Sequence, residues 1–168
     1  MNVLEATALL QSWQSVSRDA ADRKEWARVL ADFSLFSGVR RRRLRKLVST
    51  ATFLELAPGD AIADAPGGPI YIILGGVART VGASLTRKLT VGDYYGDLTD
   101  VGIRARSVTL VAAEELHVMR LPRVSVLRLA RREPAVSLAM MSDLCARLRR
   151  LELEVARALK AGTAFPKP

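Results

Sequence analysis

The sequence has a single cysteine, Cys145, and a single histidine, His117. A structural zinc site takes four ligands that are mostly Cys and His, and a disulfide takes two cysteines, so the chain is predicted to hold neither. Cys145 lies in an apolar helical pattern, which is typical of a buried structural thiol rather than a nucleophile. The sequence contains no Gly-x-Ser-x-Gly elbow, so nothing supports a role for His117 in a Ser/His/Asp site. The chain is therefore predicted not to be an enzyme and to hold no metal.

Long apolar runs are also missing. No stretch of about 18 or more continuous apolar residues occurs, so no membrane-spanning helix is predicted. The first residues lack the basic start and the long apolar run of a secretory signal. A cytoplasmic location is the resulting expectation. The length of 168 residues is that of one domain.

Acidic residues are scarce beside basic ones, with 17 Asp and Glu against 26 Lys and Arg and a net charge of +9. Part of the excess forms one cluster, which comprises Arg40, Arg41, Arg42, Arg43, Arg45 and Lys46. Such a cluster attracts nucleic acid, anionic lipid or an acidic protein. The alternative is that it is the solvated face of a short helix and binds nothing.

Residues 1–50 are predicted to be helical from the spacing of their apolar residues. A first stripe consists of Val3, Leu4, Ala8, Leu9 and Trp13. A second stripe, which is expected to dock on the rest of the domain, consists of Trp26, Val29, Leu30 and Phe33. A short amphipathic helix follows, with its basic face outermost and its apolar face formed by Leu44, Leu47 and Val48.

From residue 51 to residue 121 the pattern changes to short apolar runs separated by turns rich in Gly and Pro. Short strands at close spacing indicate an antiparallel barrel or jelly roll. Gly75 and Gly76 lie between the apolar run 72–74 and Val77. Because two glycines permit the positive φ angles of primed turns, this pair predicts a tight hairpin.

Helical periodicity returns over residues 122–160. A short helix is predicted to end near Glu133 and Pro134, and a longer one to run from Ala135 to about Lys160. Part of the long apolar stripe has the spacing of a helix–helix seam, namely Leu144, Leu148, Leu151 and Val155. The stripe either packs on the chain's own β region or joins two copies of the chain. The tail, residues 161–168, is too short for a further domain.

One stretch combines the groups that bind a phosphate and a sugar. Asp97 directly follows Gly96, and Arg106 and Ser107 come at the mouth of the next apolar strand. Backbone amides freed by a glycine turn can point at an anion, and a guanidinium can bind two of its oxygens. A nearby carboxylate can accept hydrogen bonds from sugar hydroxyls. A nucleotide offers both groups together.

This stretch resembles the phosphate-binding cassette of the cyclic-nucleotide-binding domains found in catabolite-activator-type regulators, kinase regulatory subunits and gated channels. The matching residues are Gly96, Leu98, Arg106, Ser107 and Thr109. The resemblance continues through 35–38, 58–62, 70–77 and 92–96 and covers roughly residues 33–155.

The sequence departs from the family pattern at three positions. Asp97 stands where the family has a glutamate, Asp100 where it has an aliphatic residue, and Val108 where it has an alanine. The shorter carboxylate of Asp97 can reach a sugar hydroxyl through a water molecule. An alternative for Arg106 is an ion pair with Asp97 across an empty pocket.

The resemblance implies a role for each cassette residue. Arg106 would bind the cyclic phosphate by two hydrogen bonds, Ser107 would add its hydroxyl, and Asp97 would accept from the ribose 2′-hydroxyl. The ligand-binding set is Gly96, Asp97, Leu98, Thr99, Arg106 and Ser107, with Arg104 and Thr109 as accessory residues. The ligand would be cAMP or cGMP, and no resident cofactor is implied.

The fold implied is α+β, with an antiparallel β-roll, a jelly-roll-like double-stranded β-helix, flanked by N-terminal helices and a long C-terminal helix. The N-terminal helical segment is residues 1–50, the β-roll 51–121 with the cassette at 96–109, and the C-terminal helices 122–160, all in one domain. Relatives that are transcription factors carry a helix-turn-helix after the long helix. The residues beyond Lys160 are too few for one, so sequence-specific DNA reading is not expected.

Three functions follow from these observations. The first is a regulatory domain that senses cAMP or cGMP and signals through the C-terminal helix to a partner protein or a homodimer. The second is a degenerate domain of the same fold that binds no nucleotide and serves as a protein-interaction or assembly module. The third is a nucleic-acid or anionic-membrane binder that uses the basic patch, residues 40–46.

Overall fold

The computed structural model describes residues 20–63, 67–82, 86–96 and 108–160. Its helices are α1 Ala20–Ala31, α2 Arg41–Val48, α3 Arg123–Arg132 and α4 Pro134–Lys160, with a 3-10 turn at Ser34–Phe36. Its strands are β1 Thr52–Leu56, β2 Ala61–Ala63, β3 Ile70–Gly75, β4 Ala78–Val81, β5 Lys88–Leu89, β6 Tyr94–Tyr95, β7 Thr109–Ala112 and β8 Leu116–Leu121. The predicted stripe in residues 3–13 and the tail 161–168 lie outside the described residues.

The strands form two four-stranded antiparallel sheets, one in the order β1-β8-β3-β6 and the other in the order β2-β7-β4-β5. Successive strands mostly alternate between the sheets, which is the connectivity of a jelly roll. The first and last strands, β1 and β8, are paired along their length, from Thr52 opposite Arg120 to Leu56 opposite Leu116. The predicted α+β fold with an antiparallel β-roll is confirmed.

Apolar side chains fill the space between the two sheets. Leu110 and Ala112 of β7 belong to the same buried cluster as Leu116 and Val118 of β8. Because side chains of a strand point alternately to its two faces, His117 lies on the outer face and is only half-buried. This arrangement of β8 agrees with the alternation in its sequence.

Helices α1 and α2 cover the outer face of the first sheet. The predicted α1 stripe is buried there, and the Trp26 ring lies 5.2 Å from the ring of Phe53 on β1. In α2 the three apolar residues, Leu44, Leu47 and Val48, are buried and join the same core. Burying a side chain such as that of Leu44 stabilises the fold by about 1.5 to 3 kcal/mol. Both docking predictions are confirmed.

The glycine pair at 75 and 76 does not form the predicted hairpin, so that prediction is wrong. Strand β3 pairs with β6 and β8, whereas β4 pairs with β5 and β7, and the chain therefore crosses between the sheets here. Gly76 has a φ of +82°, and a Cβ at this position would overlap the carbonyl oxygen of Glu115. The glycine is required because two backbones meet closely at the crossover.

Helix α4 begins against the roll and then leaves its core. Val136 is fully buried, whereas Leu144, Leu148 and Leu151 are 55%, 57% and 43% exposed. The alternative in which the whole stripe packs on the chain's own β region is therefore wrong. The prediction of a buried Cys145 is also wrong, because this residue is exposed like its neighbours on α4. None of the helices in the described part of the chain has the length and apolarity that crossing a bilayer requires.

Candidate ligand-binding site

The cassette lies between the end of β6 and the start of β7. Gly96 follows β6 directly, and Thr109 is the first residue of β7. The other predicted site residues, Asp97, Leu98, Thr99, Arg104, Arg106 and Ser107, lie outside the described residues. Their roles stay predictions, and the geometry of the site is known from its two ends.

Gly96 fixes the first end of the cassette. Its φ is +122°, and a Cβ at this position would lie 2.8 Å from the carbonyl oxygen of Pro69 and 3.0 Å from the side chain of Ile70. A side chain larger than hydrogen would therefore both strain the backbone and clash with the start of β3. This backbone conformation begins the cassette with no side chain in the way.

Tyr95 ties the two ends of the cassette together. Its hydroxyl donates to the carbonyl oxygen of Val108, at 2.6 Å, and also lies 3.3 Å from the carbonyl oxygen of Ile62. The ring is buried between the sheets, 6.2 Å from the ring of Tyr71. Val108 directly precedes β7, and Tyr95 directly precedes Gly96. The Tyr95 side chain therefore holds the two ends of the cassette close together.

Thr109 begins β7 opposite Ala63 of β2 and Val81 of β4, and it is half-buried. Val108, which replaces the alanine of the family pattern, packs against the inter-sheet core. The additional methyl groups of valine are therefore accommodated at the edge of the core. Thr109 lies at a strand end beside the cassette, and its role as an accessory ligand-binding residue stays a prediction.

A polar cluster joins β6 to the long helix. The guanidinium carbon of Arg147 lies 4.8 Å from the centroid of the Tyr94 ring, and Arg147 is also ion-paired with Asp143, one helical turn earlier. The nearby Asp143 carboxylate helps to raise the pKa of Tyr94. Cation–π contacts contribute about 0.5 to 2 kcal/mol, with the larger values at desolvated sites. Tyr94, Asp143 and Arg147 are called the β6–α4 cluster below.

A second ion pair extends the β6–α4 cluster towards β5. Arg87 contacts Asp93 at 3.3 Å, and the Asp93 carboxylate also accepts from the backbone amide of Thr90 at 2.8 Å. Burial lowers the pKa of Arg87, and the nearby Arg147 cation lowers it further. Two guanidinium groups thus lie near each other between the roll and α4, with a carboxylate beside each.

Sequence reasoning missed the β6–α4 cluster. The only local signal is the spacing of Asp143 and Arg147, which places them on one face of a helix as an i, i+4 pair. Nothing in the sequence links that pair to Tyr94, because the contact depends on how α4 docks on β6.

Titration of Tyr94 provides a test of the cluster. Burial raises the pKa of Tyr94 to about 12; the Arg147 cation opposes the rise and Asp143 adds to it. An unfolded tyrosine loses its proton near pH 10, so the folded state holds the proton longer and its stability falls between about pH 10 and pH 12. We expect wild type to lose up to about 2 to 3 kcal/mol more than Tyr94→Phe across this range. Urea unfolding at several pH values measures the difference, and parallel curves for the two proteins would contradict the buried position of Tyr94.

One group of potential metal ligands occurs in the described part of the chain. Glu55 and His117 are paired across β1 and β8, and His117 Nε2 lies 3.1 Å from a carboxylate oxygen of Glu115. The three ligand atoms lie within 4.8 Å of one another. Both carboxylates are exposed, and the arrangement is that of a surface ion pair when the imidazole is protonated.

The predicted basic patch forms the outer face of α2. Its side chains are exposed except that of Arg43, which is half-buried. Arg43 forms an ion pair with Glu133 at 2.7 Å and donates to the carbonyl oxygen of Arg132 at 3.0 Å, and both contacts fasten α2 to the end of α3. The expectation that the basic face is outermost is confirmed.

Solved structures similar to this chain share its architecture. The catabolite activator protein of Thermus thermophilus is 27% identical over 73% of this chain and 62% of its own, with a TM-score of 0.58. The cAMP-bound PfPKA-R structure is 20% identical over 92% of this chain and 53% of its own, with a TM-score of 0.62. This chain has the fold of the cyclic-nucleotide-binding domains.

A third structure with the cyclic-nucleotide-binding fold is the regulatory subunit of a cAMP-independent protein kinase A from Trypanosoma cruzi, bound to guanosine. It is 23% identical over 88% of this chain and 53% of its own, with a TM-score of 0.59. The chain thus spans about half to three fifths of the length of these three proteins. No family model matches the sequence, and no curated protein matches it.

Proposed function

We propose that the chain is a regulatory domain that binds cAMP or cGMP and transmits binding through α4. The observation that carries the proposal is the position of Gly96. Gly96 has a positive φ and lies close to β3. It stands at the end of β6, where the segment that contains Asp97, Arg106 and Ser107 begins. In the cyclic-nucleotide-binding fold this is where the resemblance predicts the phosphate-binding cassette.

The proposed contacts follow the chemistry of the cassette. Arg106 binds two oxygens of the cyclic phosphate, and Ser107 donates its hydroxyl to the same group. Backbone amides of Leu98 and Thr99 complete the anion site. Asp97 accepts from the ribose 2′-hydroxyl, directly or through water. Arg104 offsets the negative charge of Asp97 and Asp100, which would otherwise repel a phosphate.

The β6–α4 cluster supports transmission to the long helix. Tyr94 contacts Arg147 of α4, the Tyr95 hydroxyl donates to the carbonyl oxygen of Val108, and Gly96 begins the cassette. Three consecutive residues therefore link the helix, the exit of the cassette and its entrance. A nucleotide that binds one arrangement of this strand more tightly shifts the population of α4 positions accordingly.

The exposed stripe of α4 supports a homodimer as the output. Met141, Leu144, Leu148 and Leu151 are 60%, 55%, 57% and 43% exposed. Their alternating spacings of three and four, continued by Val155, are those of a coiled-coil seam. In a symmetric homodimer, the apolar stripe of one copy would pack against the same stripe of the second copy.

Thermal unfolding in the presence of nucleotides tests the proposal. A ligand at about 100 times its dissociation constant stabilises the folded state by about 2.7 kcal/mol. For a chain of this size we expect cAMP or cGMP to raise Tm by about 5 to 10 °C. Adenosine 5′-monophosphate is the matched control, because it has the same base and ribose without the cyclic phosphate. An unchanged Tm with both cyclic nucleotides would favour the degenerate, ligand-free module.

A further inference from the structure

Helices α2 and α3 together form a basic surface larger than the patch seen in the sequence. The sequences of the two helices, RRRLRKLV and RVSVLRLARR, contain no acidic residue. Arg40 precedes α2 and Arg120 lies on the adjoining strand β8. We define the arginine surface as Arg40, Arg41, Arg42, Arg45, Lys46, Arg120, Arg123, Arg128, Arg131 and Arg132.

Arg43 links the two helices that carry the arginine surface. Arg43 is ion-paired with the carboxylate of Glu133, whose side chain is 13% exposed, and donates to the carbonyl oxygen of Arg132. These contacts fasten α2 to the end of α3 and neutralise the carboxylate that directly follows α3. The remaining positive charges of both helices therefore act together on whatever approaches this face.

Two grooves cross the arginine surface. The larger, of about 550 Å³, is lined by Gly67, Pro69, Pro122, Val124, Leu127 and four arginines, Arg120, Arg123, Arg128 and Arg131. The smaller, of about 70 Å³, lies between α2 and α3 and is lined in part by Lys46, Arg128 and Arg132. Because Arg128 lines both, the positive charge continues from one groove to the other.

We propose that the arginine surface binds the phosphate backbone of double-helical nucleic acid without reading its sequence. The guanidinium groups that line two adjoining grooves complement the charge of a phosphate backbone, whose phosphates arginine can bind with two hydrogen bonds each. None of the described residues that line the grooves is aromatic. Stacking on bases of a single strand is thus not provided, and backbone contacts remain.

The packing of α2 and α3 disfavours an anionic membrane as the occupant. A helix that binds in a membrane interface inserts apolar side chains between lipids. Leu44, Leu47 and Val48 of α2 and Val126 and Leu129 of α3 are instead buried in the protein. Among the large apolar residues of these two helices, Val124 alone is strongly exposed, at 59%. The surface therefore presents positive charge but few apolar side chains that could insert into a membrane.

Fluorescence anisotropy with a labelled random-sequence DNA duplex tests the proposal. If about five phosphates are contacted, log K falls against log salt with a slope of about −4.5, which is about 500-fold between about 50 and 200 mM salt. The combined variant Arg120→Gln, Arg128→Gln and Arg131→Gln is expected to reduce the slope to about −2 and to weaken binding at low salt by at least about tenfold.

The matched control is Arg149→Gln, Arg150→Gln and Arg157→Gln. It removes the same charge from exposed positions of α4 and is expected to leave the slope unchanged. Equal losses in both triple variants would overturn the proposal, because net charge rather than the arginine surface would then explain binding. Binding to phosphatidylserine vesicles with none to the duplex would overturn it as well.

The outcome is independent of the proposed nucleotide site. The groove variant alters neither the cassette nor the β6–α4 cluster, so its Tm and any nucleotide response are expected to match wild type. Duplex binding without a nucleotide response would leave this proposal intact while contradicting the proposed function. A lowered Tm would point to damaged folding, and the single variant Arg131→Gln, at an exposed position, then gives the slope change, about one unit.

Discussion

Replacing Arg106 by alanine is expected to raise the dissociation constant for the bound cyclic nucleotide about a hundredfold while leaving the fold intact. In the proposed site this guanidinium makes two charged hydrogen bonds to the phosphate, and each such bond contributes about 1.5 to 3 kcal/mol. Losing both bonds costs at least about 3 kcal/mol, which corresponds to a factor of about 100 or more. Calorimetric titration of the variant beside wild type measures the change.

Arg79→Ala is the matched control for Arg106→Ala. Arg79 is an exposed arginine on β4 of the same roll, so its removal lowers the net charge equally at a position outside residues 96–109. We expect the control to bind nucleotide as wild type does. If Arg106→Ala kept the wild-type affinity, the assignment of the phosphate site would be wrong, whereas an equal loss in both variants would indicate a nonspecific charge effect.

Replacing Leu148 by glutamate is expected to convert the proposed dimer into a monomer. Leu148 lies in the middle of the exposed stripe on α4, between Leu144 and Leu151. Burying a leucine contributes about 1.5 to 3 kcal/mol, and the substitution removes two from a symmetric seam and introduces two like charges. The dimer dissociation constant should therefore rise about 100-fold or more. Sedimentation equilibrium across a range of concentrations measures it.

Leu153→Glu separates a seam effect from a general effect of charge on α4. Leu153 is 59% exposed but lies off the seam, on the opposite side of the heptad. This control should sediment as wild type does, with the same helix content by circular dichroism. A wild-type protein that is monomeric at all concentrations would rule out the homodimer and direct attention to a different partner for α4.

The parts of the fold that depend on local periodicity were predictable. The spacing of Trp26, Val29, Leu30 and Phe33 identifies the buried face of α1, and Leu44 and Leu47 do the same for α2. The alternation of Leu116, His117 and Val118 correctly places the histidine on the outer face of β8. Each of these elements buries one face, and the periodic spacing of its apolar residues identifies that face.

Features that depend on distant contacts were not predictable. Gly76 looks like a hairpin residue in sequence, because its actual constraint, the carbonyl of Glu115, is far along the chain. The apolar helical pattern around Cys145 predicts a buried thiol, whereas that part of α4 is exposed. The contact of Tyr94 with Arg147 depends on the same docking of α4 and has no local signature.

The charge pattern was predictable only in part. The run Arg40 to Lys46 identifies the basic face of α2. The arginines of α3 are spread among apolar residues and do not form a charge cluster in the sequence. They join the basic face of α2 only because packing places α3 beside α2. Arg43 makes that connection, through Glu133 and the backbone of Arg132.

Calorimetric titration of the nucleotide-free wild-type protein with cAMP and, separately, with cGMP determines whether residues 96–109 form a working nucleotide site. We expect saturable binding of one or both nucleotides at a single site per chain, with a dissociation constant in the micromolar range or tighter, about −8 kcal/mol or more favourable. The same titration with adenosine 5′-monophosphate should show no saturable heat. Absence of heat with both cyclic nucleotides, together with an unchanged Tm, would contradict a working cassette and leave a domain that uses the cyclic-nucleotide-binding fold without its ligand.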